Sequence, residues 1–210
     1  MYWYEEEVRA LENSLRHRTL PAGPAVFYGS SSIRLWSALA LDLGDDRAVN
    51  LGFGGSTLEA CVYFFERLVL PVHPASLVVY AGDNDLGDGK TADDVLRSFR
   101  ALMSKTTRLL PGVPLWFIAI KASPARFDLR TKIDSANRAI AEEISHYPGY
   151  YFVDAFHAML GANGEPRREL FNPDGLHLSR EGEALWARLL QPWHDQIFTP
   201  NYPAIHTLHA

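Results

Sequence analysis

Three features of the sequence predict a three-layer α/β/α fold on a five-stranded parallel sheet. Five short, nearly continuous apolar runs recur along the chain, segments of helical periodicity separate them, and helix start signals precede two of those segments. The runs are Ala25-Val-Phe-Tyr28, Ala48-Val-Asn-Leu51, Leu77-Val-Val-Tyr-Ala81, Leu115-Trp-Phe-Ile-Ala-Ile120 and Tyr150-Tyr-Phe-Val153. Apolar runs without alternation suit strands buried on both faces, the condition of a parallel sheet covered by helices on each side.

An amphipathic helix is expected before the first strand. Ser56-Thr-Leu-Glu59 and Thr91-Ala-Asp-Asp94 both have the capping-box form, a hydroxyl followed three residues later by a carboxylate. Val95, Phe99, Leu102 and Leu109 make an apolar stripe that Pro111-Gly112 ends. Ile133, Ile140, Ile144 and Tyr147 make another, ended by Pro148-Gly149. A last helix from about Ser179 carries Leu185, Trp186, Leu189 and Trp193 on one side. Strands alternating with helices, joined by right-handed crossovers, give a flavodoxin-like strand order.

The 210 residues suit one domain spanning 1–210. With 47% apolar and 21% charged residues the chain has the composition of a globular protein and not of a disordered one. A net charge of −5 without a basic block argues against a nucleic-acid partner. The single cysteine, Cys61, excludes an internal disulfide and a cysteine-based zinc site. No apolar run approaches the roughly 18–20 residues of a membrane span. The segment Met1-Tyr-Trp-Tyr-Glu-Glu-Glu7 has neither the basic nor the apolar part of a secretory signal, so a cytoplasmic enzyme is expected.

In a parallel sheet ligands sit beyond the carboxyl ends of the strands, so the residues there are the candidates for chemistry. The first strand runs into Gly29-Ser30-Ser31-Ser32-Ile33. A serine at the start of a helical turn can project its Oγ into the cleft, beside backbone N–H groups that stabilise developing negative charge. Taken alone, the three serines are better read as helix caps, and a Gly-x-Ser-x-Gly turn would need glycine at Ile33. The second strand ends in Gly52-Phe53-Gly54-Gly55, which permits close backbone approach to a ligand or simply a tight turn. The third ends in Gly82-Asp83-Asn84-Asp85, where an amide beside two carboxylates can serve an oxyanion, a cation or an Asx turn. Asp174-Gly175-Leu176-His177 sets a carboxylate three residues before an imidazole, close enough to bond Nδ1 and leave Nε2 to accept a proton. Asp154-Ala-Phe-His157 repeats that spacing. His157 is read as a surface or packed histidine, as are His17, His73, His146, His194, His206 and His209. Cys61 is read as a small core residue.

A serine after the first strand, glycines after the second, an asparagine after the third and Asp-x-x-His before the last helix form one ordered pattern. It resembles the SGNH (GDSL) hydrolase superfamily from about Val26 to Trp193, and within it the branch around platelet-activating-factor acetylhydrolase. The resemblance implies Ser31 as nucleophile, His177 as general base and Asp174 as the group that orients it. It implies an oxyanion hole of the Ser31 backbone N–H, the Gly55 backbone N–H and the Asn84 side-chain amide. Gly55 is preferred to Gly54 because it precedes Ser56-Thr57, where the family commonly has Gly-Asp-Thr or Gly-Asp-Ser. Two departures stand out: Ser30 replaces the aspartate of the family's Gly-Asp-Ser, and Ser56 replaces an acidic residue of the second motif.

The expected activity is therefore hydrolysis of a small acyl ester by a serine esterase, with no metal or organic cofactor. Two other classes remain open. One is a metal-dependent phosphoesterase with Asp83, Asp85 and His177 as ligands. The other is a catalytically silent binding module that keeps the fold, a reading that Ser30 and Ser56 favour. Arg34, Lys121 and Arg126 are read as solvated surface charges, the alternative being contact with an anionic leaving group. The sequence does not select the natural substrate or its acyl length. It leaves the oligomeric state open, a homodimer being the common case among soluble enzymes.

Overall fold

Hydrogen-bonded strands run in the order β2-β1-β3-β4-β5, every neighbouring pair parallel. The computed structural model describes residues 1–199, so His206 and His209 lie outside the described residues. The strands are β1 (Ala25–Gly29), β2 (Ala48–Gly52), β3 (Ser76–Tyr80), β4 (Leu115–Ile118) and β5 (Tyr150–Val153). The helices are α1 (Glu5–His17), α2 (Ser31–Arg34), α3 (Leu39–Leu43), α4 (Leu58–Leu68), α5 (Asp83–Gly87), α6 (Ala92–Leu109), α7 (Arg130–Ser145), α8 (Ala155–Ala158), α9 (Arg180–Leu190) and α10 (His194–Phe198). The expected fold class is thus the observed one. The chain leaves β1 toward β2 and returns past it to β3, so the topological switch point lies between β1 and β3.

Right-handed crossovers in that order put α4, α6 and α7 in a row on one face, with α1 against α4, while α3 and α9 pack together on the other. The central strands β1 and β3 are buried along their whole length. Strand β5 departs from the two-sided burial read from its sequence: Tyr150, Tyr151 and Phe152 are only half-buried at one edge of the sheet, whereas β2 at the other edge is covered by α2 and α3. Aromatic rings fill both layers, Tyr80 against Trp186 at 4.7 Å between centroids and Phe99 against Phe117 at 4.9 Å. Among the described residues no helix is long and apolar enough to cross a membrane.

Capping follows the sequence at one of the two expected places. Thr91 and Asp94 form the reciprocal box at the start of α6. At α4 the cap is Thr57, whose Oγ1 accepts the Ala60 N–H at 3.1 Å, and not Ser56, which is buried. The register moves by one residue because the Asp85 carboxylate takes the next free N–H, that of Leu58, at 2.9 Å.

At its carboxyl end β1 leaves no room for a side chain against β3. Gly29 has φ +137°, and a Cβ there would fall 1.8 Å from the Tyr80 carbonyl oxygen. Only glycine fits, and the approach lets the Ser30 N–H donate to that carbonyl at 2.9 Å. Gly29→Ala should therefore cost roughly 3 kcal/mol or more of stability, or prevent folding. Chemical denaturation measures it, and an unchanged midpoint would contradict this packing.

Candidate active site

Helix α2 starts directly after β1, which separates the three serines by environment. Ser30 is the last extended residue, φ −86° and ψ −169°, and its Oγ is buried without a hydrogen-bond partner among the described residues. Ser32 is buried and its Oγ accepts from Lys121 Nζ at 3.1 Å. Ser31, partly exposed, is the one that faces an imidazole: its Oγ lies 3.1 Å from His177 Nε2.

That imidazole sits on a turn with its own internal bracing. Phe171 and Leu178 pair as an antiparallel bridge, and the Asn172 amide donates to the Leu178 carbonyl at 3.0 Å. Gly175 takes the left-handed conformation at the tip, φ +65°, and its carbonyl accepts the Ala125 N–H at 3.0 Å. Asp174 Oδ1 caps the turn by accepting the Leu176 N–H at 2.8 Å and the His177 N–H at 3.0 Å. Its Oδ2 lies 2.7 Å from His177 Nδ1. The hydrogen bond from His177 and the two from the backbone pull the Asp174 carboxyl down to about 2, so it is anionic at any ordinary pH. Ser31, His177 and Asp174, chosen from the sequence, thus form one hydrogen-bonded chain.

The two other strand ends are joined to each other through Asn84 and Ser56. Gly55 has φ +66° and is exposed, and its backbone N–H, like that of Ser31, donates to no acceptor among the described residues. Asn84, the second residue of α5, sends Nδ2 to the Ser56 carbonyl at 3.0 Å, with its second N–H left over. Its Oδ1 accepts from Arg126 Nη2 at 3.0 Å. A guanidinium only donates, so Arg126 fixes which way the amide points.

Beneath the serine turn lies a network that corrects the reading of two cations. Lys121 is not a surface charge: it is 1% exposed and donates to Ser32 Oγ, to Tyr80 OH at 2.9 Å and to Asp83 Oδ2 at 2.7 Å. Arg126, mostly buried, pairs with the same carboxylate at 3.2 Å. Burial alone would raise the Asp83 carboxyl, but the Lys121 and Arg126 charges hold it below its ordinary value. Arg34 remains partly exposed and pairs with Glu7 at 3.6 Å. Lys121 had one sequence signal, its position directly after the apolar run Leu115–Ile120. Arg126 had none.

The second Asp-x-x-His matches the first in local geometry, with Asp154 Oδ2 2.7 Å from His157 Nδ1 and Oδ1 accepting the His157 N–H at 3.0 Å. Its surroundings differ. The His157 side chain is 67% exposed against 27% for His177, and no serine meets it among the described hydrogen bonds. The carboxylates named for a metal are otherwise engaged: Asp83 by two cations, Asp85 by the Leu58 N–H. Among the described residues no three His, Cys, Asp or Glu side chains converge as metal ligands.

A five-stranded parallel sheet that sets a serine, a histidine and an aspartate in hydrogen-bonded series at its switch point is the arrangement of the SGNH (GDSL) hydrolases. The sequence profile of the GDSL-like lipase/acylhydrolase family matches residues 22–185, and the chain belongs to that family of ester hydrolases. No curated protein matches the chain. Among solved structures it is similar to a Streptococcus pneumoniae protein whose name refers to platelet activating factor. That likeness has 21% identity and a TM-score of 0.78, over 92% of this chain and 95% of the other. A GDSL-like lipase from Bacteroides thetaiotaomicron is similar at 17% identity and TM-score 0.72, over 90% and 97% of the two chains. The lipase/acylhydrolase from Enterococcus faecalis is similar at 22% identity and TM-score 0.66, over 83% and 96%. At these identities the likeness is one of fold.

Asp85 adds a pH dependence of its own. Burial pushes its carboxyl up from 3.8 to about 6. A raised acid stabilises the folded state fully below its unfolded value and loses that contribution as pH rises through the folded one. Asp85→Asn keeps an acceptor for the Leu58 N–H but does not titrate. Wild-type stability relative to Asp85→Asn should fall between pH 3.8 and about 6 and then level off. Denaturation of both proteins across that range is the test, and parallel profiles would contradict it.

Proposed function

We infer that the chain is a serine esterase that hydrolyses a small acyl ester, with Ser31 as nucleophile, His177 as general base and Asp174 orienting the imidazole. The observation that carries this reading is the 3.1 Å contact between Ser31 Oγ and His177 Nε2, residues 146 positions apart, with Asp174 on the opposite ring nitrogen. As Oγ attacks the ester carbonyl carbon, its proton passes to Nε2 and the carbonyl oxygen becomes an oxyanion. The Ser31 N–H, the Gly55 N–H and the spare N–H of Asn84 receive it. Imidazolium then protonates the leaving alkoxide, the C–O bond breaks, and an acyl-serine remains. Water, deprotonated by His177, attacks the acyl carbon; the acid departs and Ser31 regains its proton.

Asp174 stays ionised throughout and keeps Nε2 the proton acceptor. No metal or organic cofactor enters any step. Ser31 and His177 lie partly exposed at the rim of the sheet and Gly55 is open, which supports a short acyl group that needs no deep channel. The intact series of hydrogen bonds also weighs against a silent binding module, because Ser30 and Ser56 change residues beside the reacting groups and not the groups themselves.

Ser31→Ala and His177→Ala should each lower kcat by about 10³-fold or more, as parts of one unit. Asn84→Ala should lower kcat by roughly 10²–10³ with little change in KM. His157→Ala should leave turnover within about twofold, since its imidazole meets no nucleophile among the described residues. Steady-state kinetics on aryl esters of increasing acyl length and on an aryl phosphate, each with and without chelator, would measure all of these. Ser31→Ala retaining full turnover, or release of phosphate that a chelator abolishes, would overturn the reading. So would the absence of ester hydrolysis by the folded wild-type protein.

A further inference from the structure

The Gly54–Gly55 peptide carries the N–H assigned above to the oxyanion, yet neither residue has a side chain to hold it. Gly55 is exposed in a left-handed conformation, and nothing lies within 4 Å of where its Cβ would be. Two glycines in succession leave a loop with more backbone freedom than any other pair of residues. Its order must come from what bonds to it.

Both flanking peptides are bonded to one segment, and that segment is the start of the chain. The Gly54 N–H, in the preceding peptide, donates to the Glu7 carboxylate. The Gly55 carbonyl, in the following peptide, accepts from Tyr4 OH at 3.0 Å. Between them the 54–55 peptide is suspended, and its N–H meets no acceptor among the described residues. Glycine at 54 admits the carboxylate, since a Cβ there would meet the two Glu7 oxygens at 3.1 and 3.2 Å. The clamp is itself fixed. Tyr4 is buried edge-on to Phe53, centroids 5.5 Å apart, and Arg34 of α2 pairs with Glu7. Arg67 of α4 holds α1 in place through Glu5 and Glu12, both at 2.8 Å.

We propose that Tyr4 and Glu7 are positioning residues for catalysis: they hold the Gly54–Gly55 peptide so that its N–H points at the oxyanion. This rests on the esterase reading given above. An N–H stabilises the transition state only when it is already aimed, because turning it during the reaction costs the energy that preorganisation saves. Loss of either bond should therefore appear in kcat and not in KM. The Arg34 partner keeps the Glu7 charge from opposing the oxyanion, so the carboxylate acts as an acceptor and an amide should replace it.

The test compares Tyr4→Phe, Glu7→Ala and Glu7→Gln with wild type and with Ser31→Ala, all assayed well below their melting temperatures. Tyr4→Phe and Glu7→Ala should each lower kcat about tenfold with KM within about twofold. Glu7→Gln should recover most of the loss. The Ki of a trifluoromethyl ketone, whose hemiketal oxyanion needs the same donors, should rise by the same factor in each variant. Melting temperatures that fall while kcat and Ki stay at wild-type values would overturn the proposal and leave a purely structural strap. Loss of activity in Glu7→Gln equal to that in Glu7→Ala would also overturn it. Wild-type turnover in Ser31→Ala would instead defeat the esterase reading, so the two failures are distinguishable.

Discussion

At the carboxyl end of β1 the backbone presses against β3 until Gly29 has no room for a methyl group, and the site is arranged around that approach. The Ser30 N–H, bonded to the Tyr80 carbonyl, is the last rung of the sheet. The next residue, Ser31, must leave the sheet and begin α2. The same rung fixes where β3 ends, and with it the start of α5 and Asn84. On the other side the Phe53 N–H donates to the Gly29 carbonyl at 2.9 Å, which locates the Gly54–Gly55 loop. One residue at the switch point thus ties together the loops that follow β1, β2 and β3. The histidine turn is independent of the sheet and reaches it from the far end of the sequence.

Charge beneath the turn is arranged to match. Lys121 and Arg126 share one carboxylate, that of Asp83, beneath Ser32 and Asn84. Buried ion pairs contribute little to net stability, because desolvation offsets their attraction. Here Lys121 fastens Ser32 and thereby removes one of three adjacent hydroxyls from competition. Arg126 orients the Asn84 amide. On the same side, Asp85 joins the third motif to the second by capping α4.

Much of this was legible in the sequence, and the limits have physical causes. Buried parallel strands announce themselves because both faces must be apolar, which is why β1, β3 and β4 stood out. Strand β5 was found by the same rule but is half-exposed, since apolar content does not tell an edge from a centre. Thr91 and Asp94 cap α6 through contacts within four residues, and local contacts can be read from spacing. The cap of α4 could not, because Asp85 competes for it from 27 residues away. The two Asp-x-x-His turns are identical in spacing and in local hydrogen bonds; only the fold brings a serine to one of them. The family resemblance supplied that choice where spacing alone did not. Lys121, Arg126, Tyr4 and Glu7 act through partners more than 37 residues distant, and no single-sequence pattern marks such pairs.

Three consecutive serines make the sharpest test, since the structure gives each hydroxyl a different fate: buried without a partner among the described residues, facing an imidazole, or bonded to a buried lysine. Reaction of the folded protein with a fluorophosphonate, which transfers phosphorus to an activated serine oxygen with loss of fluoride, followed by peptide mass spectrometry, locates the nucleophile directly. The adduct should lie on Ser31, at stoichiometric occupancy, and should form far more slowly in His177→Ala. An adduct on Ser30 or Ser32, or labelling that is indifferent to His177, would contradict the assignment of Ser31 and His177 on which the proposed chemistry stands.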